Sequence, residues 1–373
     1  MNSEFTVTPW EVTGEIDYDL LVEKFGTRKI DDALLERLST YGPIHLLLRR
    51  GIFYSHRDMD WLLDLYDAGQ PFILYTGRGP SGQTHIGHLI TWIFTKYLQD
   101  VFGAKLYFQM TDDEKFLFNE DLTLADTLKN SYDNALDVIA LGFDPKKTKI
   151  IIDTQNIRSL YPIALKVAKR VNFSTIKAVF GFDNSTNIGS IFYTSMQAAP
   201  AFLESELEGR NVPCLIPCGI DQDPHFRIAR DAAPLLGYFK PALIHNKMFP
   251  SLMGSDKMSS SQPGTTVFTT DSPKAIRKKI SGAFTGGAVS VEEQRRTGGR
   301  PEVCSVFKYH YYLFELDDAA LGDLRDRCRR GEIMCGECKS RLADGVVAFL
   351  EEHQRRREEA RSRIDDFLME DRR

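Results

Sequence analysis

The chain has 373 residues, 42% of them hydrophobic and 27% charged, and its formal net charge is −5. That is enough chain for two or three domains around at least one sizeable core, in the composition range of ordinary globular proteins, while no apolar run reaches the roughly 18 residues of a membrane span and the N-terminus has no basic region followed by an apolar stretch, so no signal peptide is expected. The acidic balance speaks against a protein held to nucleic acid by nonspecific phosphate contacts, and leaves any RNA contact to local patches.

Residues 1–55 read as a mixed opening segment with helix-like apolar spacing over 17–38, followed by an amphipathic stretch at 58–66. Residues 72–75 read as a buried strand, and a glycine-rich loop follows. Ile86, Leu89, Ile90, Ile93, Phe94, Tyr97, Leu98 and Val101 then recur at helical spacing. A second strand is expected at 106–110. A helix is expected at 124–141, with Gly142 suited to its C-terminal cap. Further strands are expected at 149–152, 212–217 and 242–245. Strands alternating with helices indicate an α/β protein with a doubly wound parallel sheet. Beyond Pro273 the texture is helical, over 273–280, 306–314 and 340–369, where Glu351 and Glu352 precede Arg355 and Arg356 by four residues. The Gly/Arg-rich stretch 286–300 reads as a mobile loop. Six cysteines without an export signal are expected as reduced thiols in the cytoplasm. Cys335 and Cys338 have the spacing of a metal-ligand pair, but a structural zinc needs about two more ligands. Cys214 and Cys218 would supply them only if the fold brought them near. Helix-start and core cysteines are the plainer expectation, so no metal site is assigned.

Two segments carry chemistry. Gly77-Arg78-Gly79-Pro80-Ser81-Gly82-Gln83-Thr84-His85-Ile86-Gly87-His88 lies between a strand and a helix, where glycines let backbone approach phosphates and the helix N-terminus favours anions. Alone, its glycine spacing also fits a dinucleotide site, with Asp112 or Asp113 as the acidic residue at the end of the second strand. Pro80 argues against that, since it removes a backbone donor. His85 and His88 also share one helix face, with Gly87 leaving room for a flat ring. The second segment, Asp256-Lys257-Met258-Ser259-Ser260-Ser261, places a lysine among small polar residues, able to swing over a polyphosphate. By itself it reads as a solvated loop.

In this order, His-x-Gly-His at 85–88 and Lys-Met-Ser-Ser-Ser at 257–261 resemble the two signatures of class I aminoacyl-tRNA synthetases. Gln109-Met110-Thr111-Asp112-Asp113-Glu114-Lys115 and Ile216-Pro217-Cys218-Gly219-Ile220-Asp221-Gln222-Asp223-Pro224 narrow the resemblance to the tryptophanyl-tRNA synthetase family of eukaryotic and archaeal type. Arg50-Gly51-Ile52-Phe53-Tyr54-Ser55-His56-Arg57-Asp58, Thr76 to Ser81 and Gln197-Ala198-Ala199-Pro200 extend it over nearly the whole chain.

The resemblance implies a Rossmann-type catalytic domain with a helical C-terminal anticodon-binding domain. The expected divisions are 1–60 (an extension whose Pro9-Trp10-Glu11-Val12 is similar to a closing lid), 61–268 (catalytic, including a connecting insertion) and 269–373. It implies ATP-dependent attachment of L-tryptophan to tRNA(Trp) through tryptophanyl-adenylate, with Mg²⁺ accompanying ATP, no resident metal, a homodimer and no membrane association. His85, His88 and Lys257 take the catalytic roles. Arg78, Gly79, Gly87, Lys115, Met258 and Ser259 bind ATP. Tyr75 and Gln109 hold the indole N–H, which needs an acceptor once buried. Glu114, Gln197 and Gln222 hold the α-ammonium. At Ala288-Val289 the chain departs from relatives that carry a charged pair, so no anticodon contacts are assigned. Three other readings stand beside this one. Tyrosyl-tRNA synthetase shares both signatures, a nicotinamide dehydrogenase would use the Gly77–Gly82 loop, and a noncatalytic synthetase-derived RNA-binding protein would not need His85, His88 and Lys257.

Overall fold

The computed structural model describes residues 6–7, 12–13, 16–255, 257–259 and 262–372. The segment 9–12, expected as a lid, lies outside the described residues except for Val12, as do Asp256, Ser260 and Ser261 of the lysine motif. β1 (Thr6–Val7) and β2 (Val12–Thr13) form a short antiparallel ladder. Seven strands form the main sheet: β3 (Arg28–Lys29), β4 (Phe53–Arg57), β5 (Ile73–Arg78), β6 (Lys105–Met110), β7 (Thr148–Ile152), β8 (Cys214–Gly219) and β9 (Ala242–Asn246). Their order is β3-β4-β9-β8-β5-β6-β7. All pairs from β9 to β7 are parallel, whereas β3 and β4 are antiparallel additions at one edge. The strand order therefore reverses direction between β5 and β8, which is the switch point of a doubly wound sheet.

Side-chain alternation explains why these runs are continuous in apolar residues. Leu74, Leu106, Phe108, Ile150, Leu215 and Ile244 point into one core cluster. Their immediate neighbours Ile73, Tyr75, Tyr107, Ile151, Ile216 and Leu243 point into another on the opposite face. A strand buried on both faces must be apolar at every position. Each such side chain contributes about 1.5–3 kcal/mol relative to exposure.

Helices cover both faces. Ile86–Phe102 ends at Gly103, whose φ of 62° is the left-handed C-cap. Leu124–Ala140 starts on a reciprocal cap, in which Asp126 N–H donates to Thr123 Oγ1 and Thr123 N–H donates to Asp126. The long C-terminal helix Cys335–Ala360 docks on Leu124–Ala140 through the buried Asp137, which is hydrogen-bonded to His353 Nε2 at 2.9 Å and forms an ion pair with Arg357 Nε at 3.2 Å. Beyond it, Met369 N–H donates to Ile150 O at 2.9 Å and covers the open edge at β7.

Several sequence-based expectations change. The stretch 17–38 is two helices, Tyr18–Phe25 and Asp32–Ser39, with β3 between them, because Gly26 ends the first at φ 63°. The expected helix at 306–314 is α-helical over Ser305–Tyr309 and widens to a π-turn over His310–Phe314. The stretch 340–369 breaks after Ala360, and a short helix, Ile364–Phe367, follows. The 286–300 segment is folded: it contains the helix Val291–Thr297, capped by Ser290, and its ends are tied by a 2.8 Å hydrogen bond from Arg300 N–H to Gly286 O. Its glycines reflect close packing rather than freedom.

Candidate active site

At the switch point, the carboxyl ends of β5 and β8 open into a cleft of about 300 Å³. Such crevices are where doubly wound sheets bind ligands. Of the residues singled out from the sequence, His85, His88, Lys257, Arg78, Gly79, Gly87, Lys115, Met258, Glu114, Gln197 and Gln222 all line it. Ser259 follows Met258, and its carbonyl accepts from Thr266 outside the lining.

One wall is built on the β5–helix turn. His85 is the N-cap of Ile86–Phe102, and its backbone N–H donates to His88 Nδ1 at 3.1 Å. The two rings stack with centroids 3.6 Å apart. Burial, and then the nearby Arg78 charge, hold both imidazoles well below their usual pKa, so they are neutral. Among the described residues His85 Nδ1 has no hydrogen-bond partner, although the side chain is buried. Gly87 sits under the His85 ring: a Cβ there would lie 3.1 Å from it. Arg78, last in β5, is buried and faces His88, Asn134 and the carbonyls of Gly82 and Gln83. Burial lowers its pKa to about 10, which leaves it a cation.

The opposite wall carries two lysine–carboxylate pairs. Lys115 Nζ lies 2.6 Å from Glu114, and Lys257 Nζ lies 3.2 Å from Asp221. Burial alone would raise the Glu114 pKa, but Lys115 and a 2.6 Å hydrogen bond from Thr111 outweigh it and keep the carboxylate ionised. Gly79 is required by this arrangement, since a Cβ there would lie 1.9 Å from Lys115 Cε.

The floor is a closed polar network. Tyr75 and Gln109 are fully buried behind Gln197, and Tyr75 lies mid-strand in β5 rather than at its end. Tyr75 Oη donates to Gln109 Oε1 at 2.5 Å, while Gln197 Nε2 donates to Tyr75 Oη at 2.8 Å and to Gln109 Oε1 at 3.2 Å. Gln109 Nε2 donates to both Asp153 oxygens at 2.9 Å. Asp153 in turn is hydrogen-bonded to Asp113. Burial and mutual repulsion raise both carboxyls, Asp113 to about 7, so the pair retains a proton. Sequence reasoning missed Asp153, Asp113 as a member of this network, and Asp221 as the partner of Lys257. Asp221 stood inside a quoted motif; Asp153 had no signal beyond following a strand.

The geometry offers an acceptor-rich polar floor, an ionised carboxylate at mid-depth, and neutral imidazoles with cations near the mouth. It suits a flat polar-edged group, an ammonium and a polyphosphate in one cleft. The family model described as tRNA synthetases class I (W and Y) matches residues 67–351. The chain is 52% identical to the tryptophan–tRNA ligase of Pyrobaculum calidifontis over 370 residues, 99% of each chain. It is 49% identical to that of Saccharolobus solfataricus, covering 98% of this chain and 96% of the relative. Among solved structures, a product-bound parasite tRNA synthetase superposes with a TM-score of 0.91 at 37% identity, covering 95% of this chain and 97% of that one. The tryptophanyl-tRNA synthetase of Encephalitozoon cuniculi bound to tryptophan gives 0.87 at 38% identity, covering 95% and 98%.

Proposed function

The chain belongs to the class I tRNA synthetases for tryptophan and tyrosine and charges tRNA with tryptophan at the expense of ATP, and from that premise we propose how its residues divide the work. The indole enters toward Tyr75 and Gln109, where its N–H meets oxygen acceptors. Glu114, Gln197 and Gln222 receive the α-ammonium. The carboxylate is thereby aimed at the α-phosphate of ATP, whose adenosine lies by Gly87 and Met258 and whose phosphates lie among Gly79, Ser259, Lys115 and Arg78.

Attack of the carboxylate on the α-phosphate gives tryptophanyl-adenylate and releases pyrophosphate. The 2′-hydroxyl of the terminal tRNA ribose then takes the acyl group. No protein nucleophile is needed, so the work is positioning and stabilisation of growing negative charge. His85, neutral and with Nδ1 unpartnered among the described residues, can donate an N–H hydrogen bond, while His88 stacks on it with Nδ1 taken by the His85 backbone N–H and Nε2 facing Arg78. The positive charge comes from Lys257, Lys115 and Arg78. Lys257 exchanges Asp221 for phosphate when ATP binds. Mg²⁺ comes with ATP as a partner of its phosphate oxygens. Both carboxylates of the cleft are engaged by lysines, and no group of three metal-ligating side chains gathers among the described residues, so no step is assigned to a resident ion. The helical region 269–373 is assigned to the anticodon arm. A homodimer is supported by an apolar stripe on the helix Ile157–Ala168, where Ile157, Tyr161 and Leu165 are exposed at helical spacing.

The observation that carries the reading is that Glu114 and Gln197 line one cleft with His85, His88 and Lys257, and that Gln197 is hydrogen-bonded to Tyr75 and Gln109 behind it. Tryptophan-dependent exchange of pyrophosphate into ATP tests it. Exchange with tryptophan and not tyrosine is expected, since sites that hydrogen-bond a substrate discriminate by roughly 10⁴–10⁵. Exchange driven by tyrosine would overturn the assignment of Tyr75 and Gln109.

A further inference from the structure

The turn at the mouth of the cleft, 82–86, is held from two sides. On one side, Asn134 Nδ2 donates to Gly82 O at 3.0 Å, and Arg78 Nη2 donates to Gly82 O at 3.3 Å and to Gln83 O at 3.1 Å. Asn134 also accepts from Arg78 Nε, so one amide of the helix Leu124–Ala140 orients both the turn and the cation beside His88. On the other side runs a segment that follows the lysine motif. Thr269 N–H donates to Thr84 O at 2.9 Å, Ile86 N–H donates to Val267 O at 3.1 Å, and His85 pairs with Phe268 in an antiparallel bridge.

Both holders are gripped by a single turn of the helix Cys335–Ala360. His353 and Arg357 meet Asp137, which lies three residues beyond Asn134 and so on the same helix face. Arg357 also pairs with Asp133 at 2.6 Å. Gln354 follows His353 in the helix and is turned from it by about 100°, so it faces the other holder. Its Nε2 donates to Thr269 O at 2.8 Å and to Asp271 O at 3.0 Å. Asp271 closes that segment on itself, accepting Phe268 N–H at 2.8 Å and pairing with Lys279 at 2.6 Å. A tilt of the long helix would therefore displace both flanks of the turn together.

Docking of the helix does not by itself call for these polar groups. Leu342, Val346 and Leu350 already share one apolar cluster with Ala135, Val138 and Ile139. A buried ion pair adds little to stability over apolar residues of similar volume. This one is also incomplete, since Asp137 Oδ2 and Arg357 Nε have no hydrogen-bond partner among the described residues. What the carboxylate supplies is charge. Burial works against the Arg78 cation, and Asp137 comes first among the carboxylates that offset it, ahead of Glu114.

We propose that Asp137 and Gln354 are positioning residues for adenylate formation: through them the C-terminal helix fixes both flanks of the 82–86 turn and so sets Arg78 and His85 against the phosphates of ATP, given the roles proposed above for those two residues. Neither Asp137 nor Gln354 lines the cleft. Asp137 acts through Asn134 and Arg78, and Gln354 acts through the backbone of Thr269. Tyr75, Gln109 and Gln197 hold one another on the floor, so phosphate chemistry and tryptophan affinity should separate.

The test is the single-turnover rate of adenylate formation in the full chain, with tryptophan affinity measured separately by equilibrium dialysis. Asp137→Asn keeps the size of the side chain and an acceptor for His353 but loses the charge. Gln354→Glu keeps the size and loses the donor. Each should slow adenylate formation about tenfold, as a small misplacement remote from the chemistry does, with tryptophan affinity nearly unchanged. Leu350→Ala opens a cavity in the same seam and removes no hydrogen bond of the turn. It should lower the urea midpoint and leave the rate near the parent's. Lys257→Ala, run alongside, should be slow. Parent-like rates in both polar variants beside a slow Lys257→Ala would overturn the positioning roles and leave the phosphate assignments standing. A Leu350→Ala as slow as the polar variants would overturn them too, because loosening the helix would then be enough. A parent-like rate in Lys257→Ala would remove the phosphate assignments and this proposal with them.

Discussion

A glutamine can offer a ligand either its carbonyl or its amino group, and at Gln109 a neighbour makes the choice. Both Nε2 hydrogens are directed to Asp153, so Oε1 must face Tyr75 and Gln197. With the amide held that way the floor presents acceptors to an indole N–H. Asp153→Asn replaces one of the two acceptor oxygens that fix the amide with a donor and lets Gln109 turn its own donors inward. The expected result is a KM for tryptophan raised about tenfold, from loss of about 1.4 kcal/mol, with kcat and the KM for ATP nearly constant. The preference for tryptophan over its benzothiophene isostere should fall as well. Gln109→Ala serves as the reference: if it shifts the preference and Asp153→Asn does not, the clamp is wrong but the pocket is right. At the mouth, Lys257→Ala should slow adenylate formation by about 10²–10³, and near-normal single-turnover rates would remove Lys257 from the machinery. His85, His88 and Lys257 were legible because they sit in short motifs. Asp153 was not, because its partner Gln109 is 44 residues away on the adjacent strand and only the parallel register of β6 with β7 brings them together.

At the scale of elements, the five parallel strands were legible because burial on both faces leaves an unbroken apolar run. β4 was not, since its Ser55 and His56 are polar and yet buried at the sheet interior. The helices between 157 and 208 were also unassigned, being short and closely spaced. The clearest misreading is the glycine-rich 286–300 segment, taken as mobile from its composition. Gly298 has φ 73° and ψ −177°, a region open essentially to glycine alone, and a Cβ there would lie 1.8 Å from Arg329 O. Composition cannot tell a glycine that frees the chain from one that lets two backbones touch. Gly298→Ala should therefore destabilise the fold by about 1–3 kcal/mol, read as a lower midpoint in urea. An unchanged midpoint would restore the loop reading.

For the whole molecule, the exposed stripe of Ile157, Tyr161 and Leu165 makes assembly testable. Tyr161→Glu should give a monomer in sedimentation if that face joins two copies, and an unaltered dimer would move the interface elsewhere. Stability against pH is a second global property, and its sign follows from the buried histidines. Burial lowers His45, His56, His225 and His310 to about 4 each, and holds His85 and His88 well below their usual value. In the unfolded chain all titrate near 6.5. Below that pH the unfolded state binds protons that the native state refuses, so native stability is full above about 6.5 and falls as pH drops toward 4. Asp113 and Asp153 act oppositely. Their raised values stabilise the native state at low pH, and Asp113 gives up its share as pH rises through about 7. Six histidines against three raised carboxyls, since burial also raises Asp112, leave the slope positive below 6.5, at about 1.4 kcal/mol per pH unit for each uncompensated group. The urea midpoint should therefore be lower at pH 5 than at pH 7.5. A midpoint equal or higher at pH 5 would mean that the histidines titrate in the native state, and with that the neutral His85–His88 pair assigned to the active site would fall.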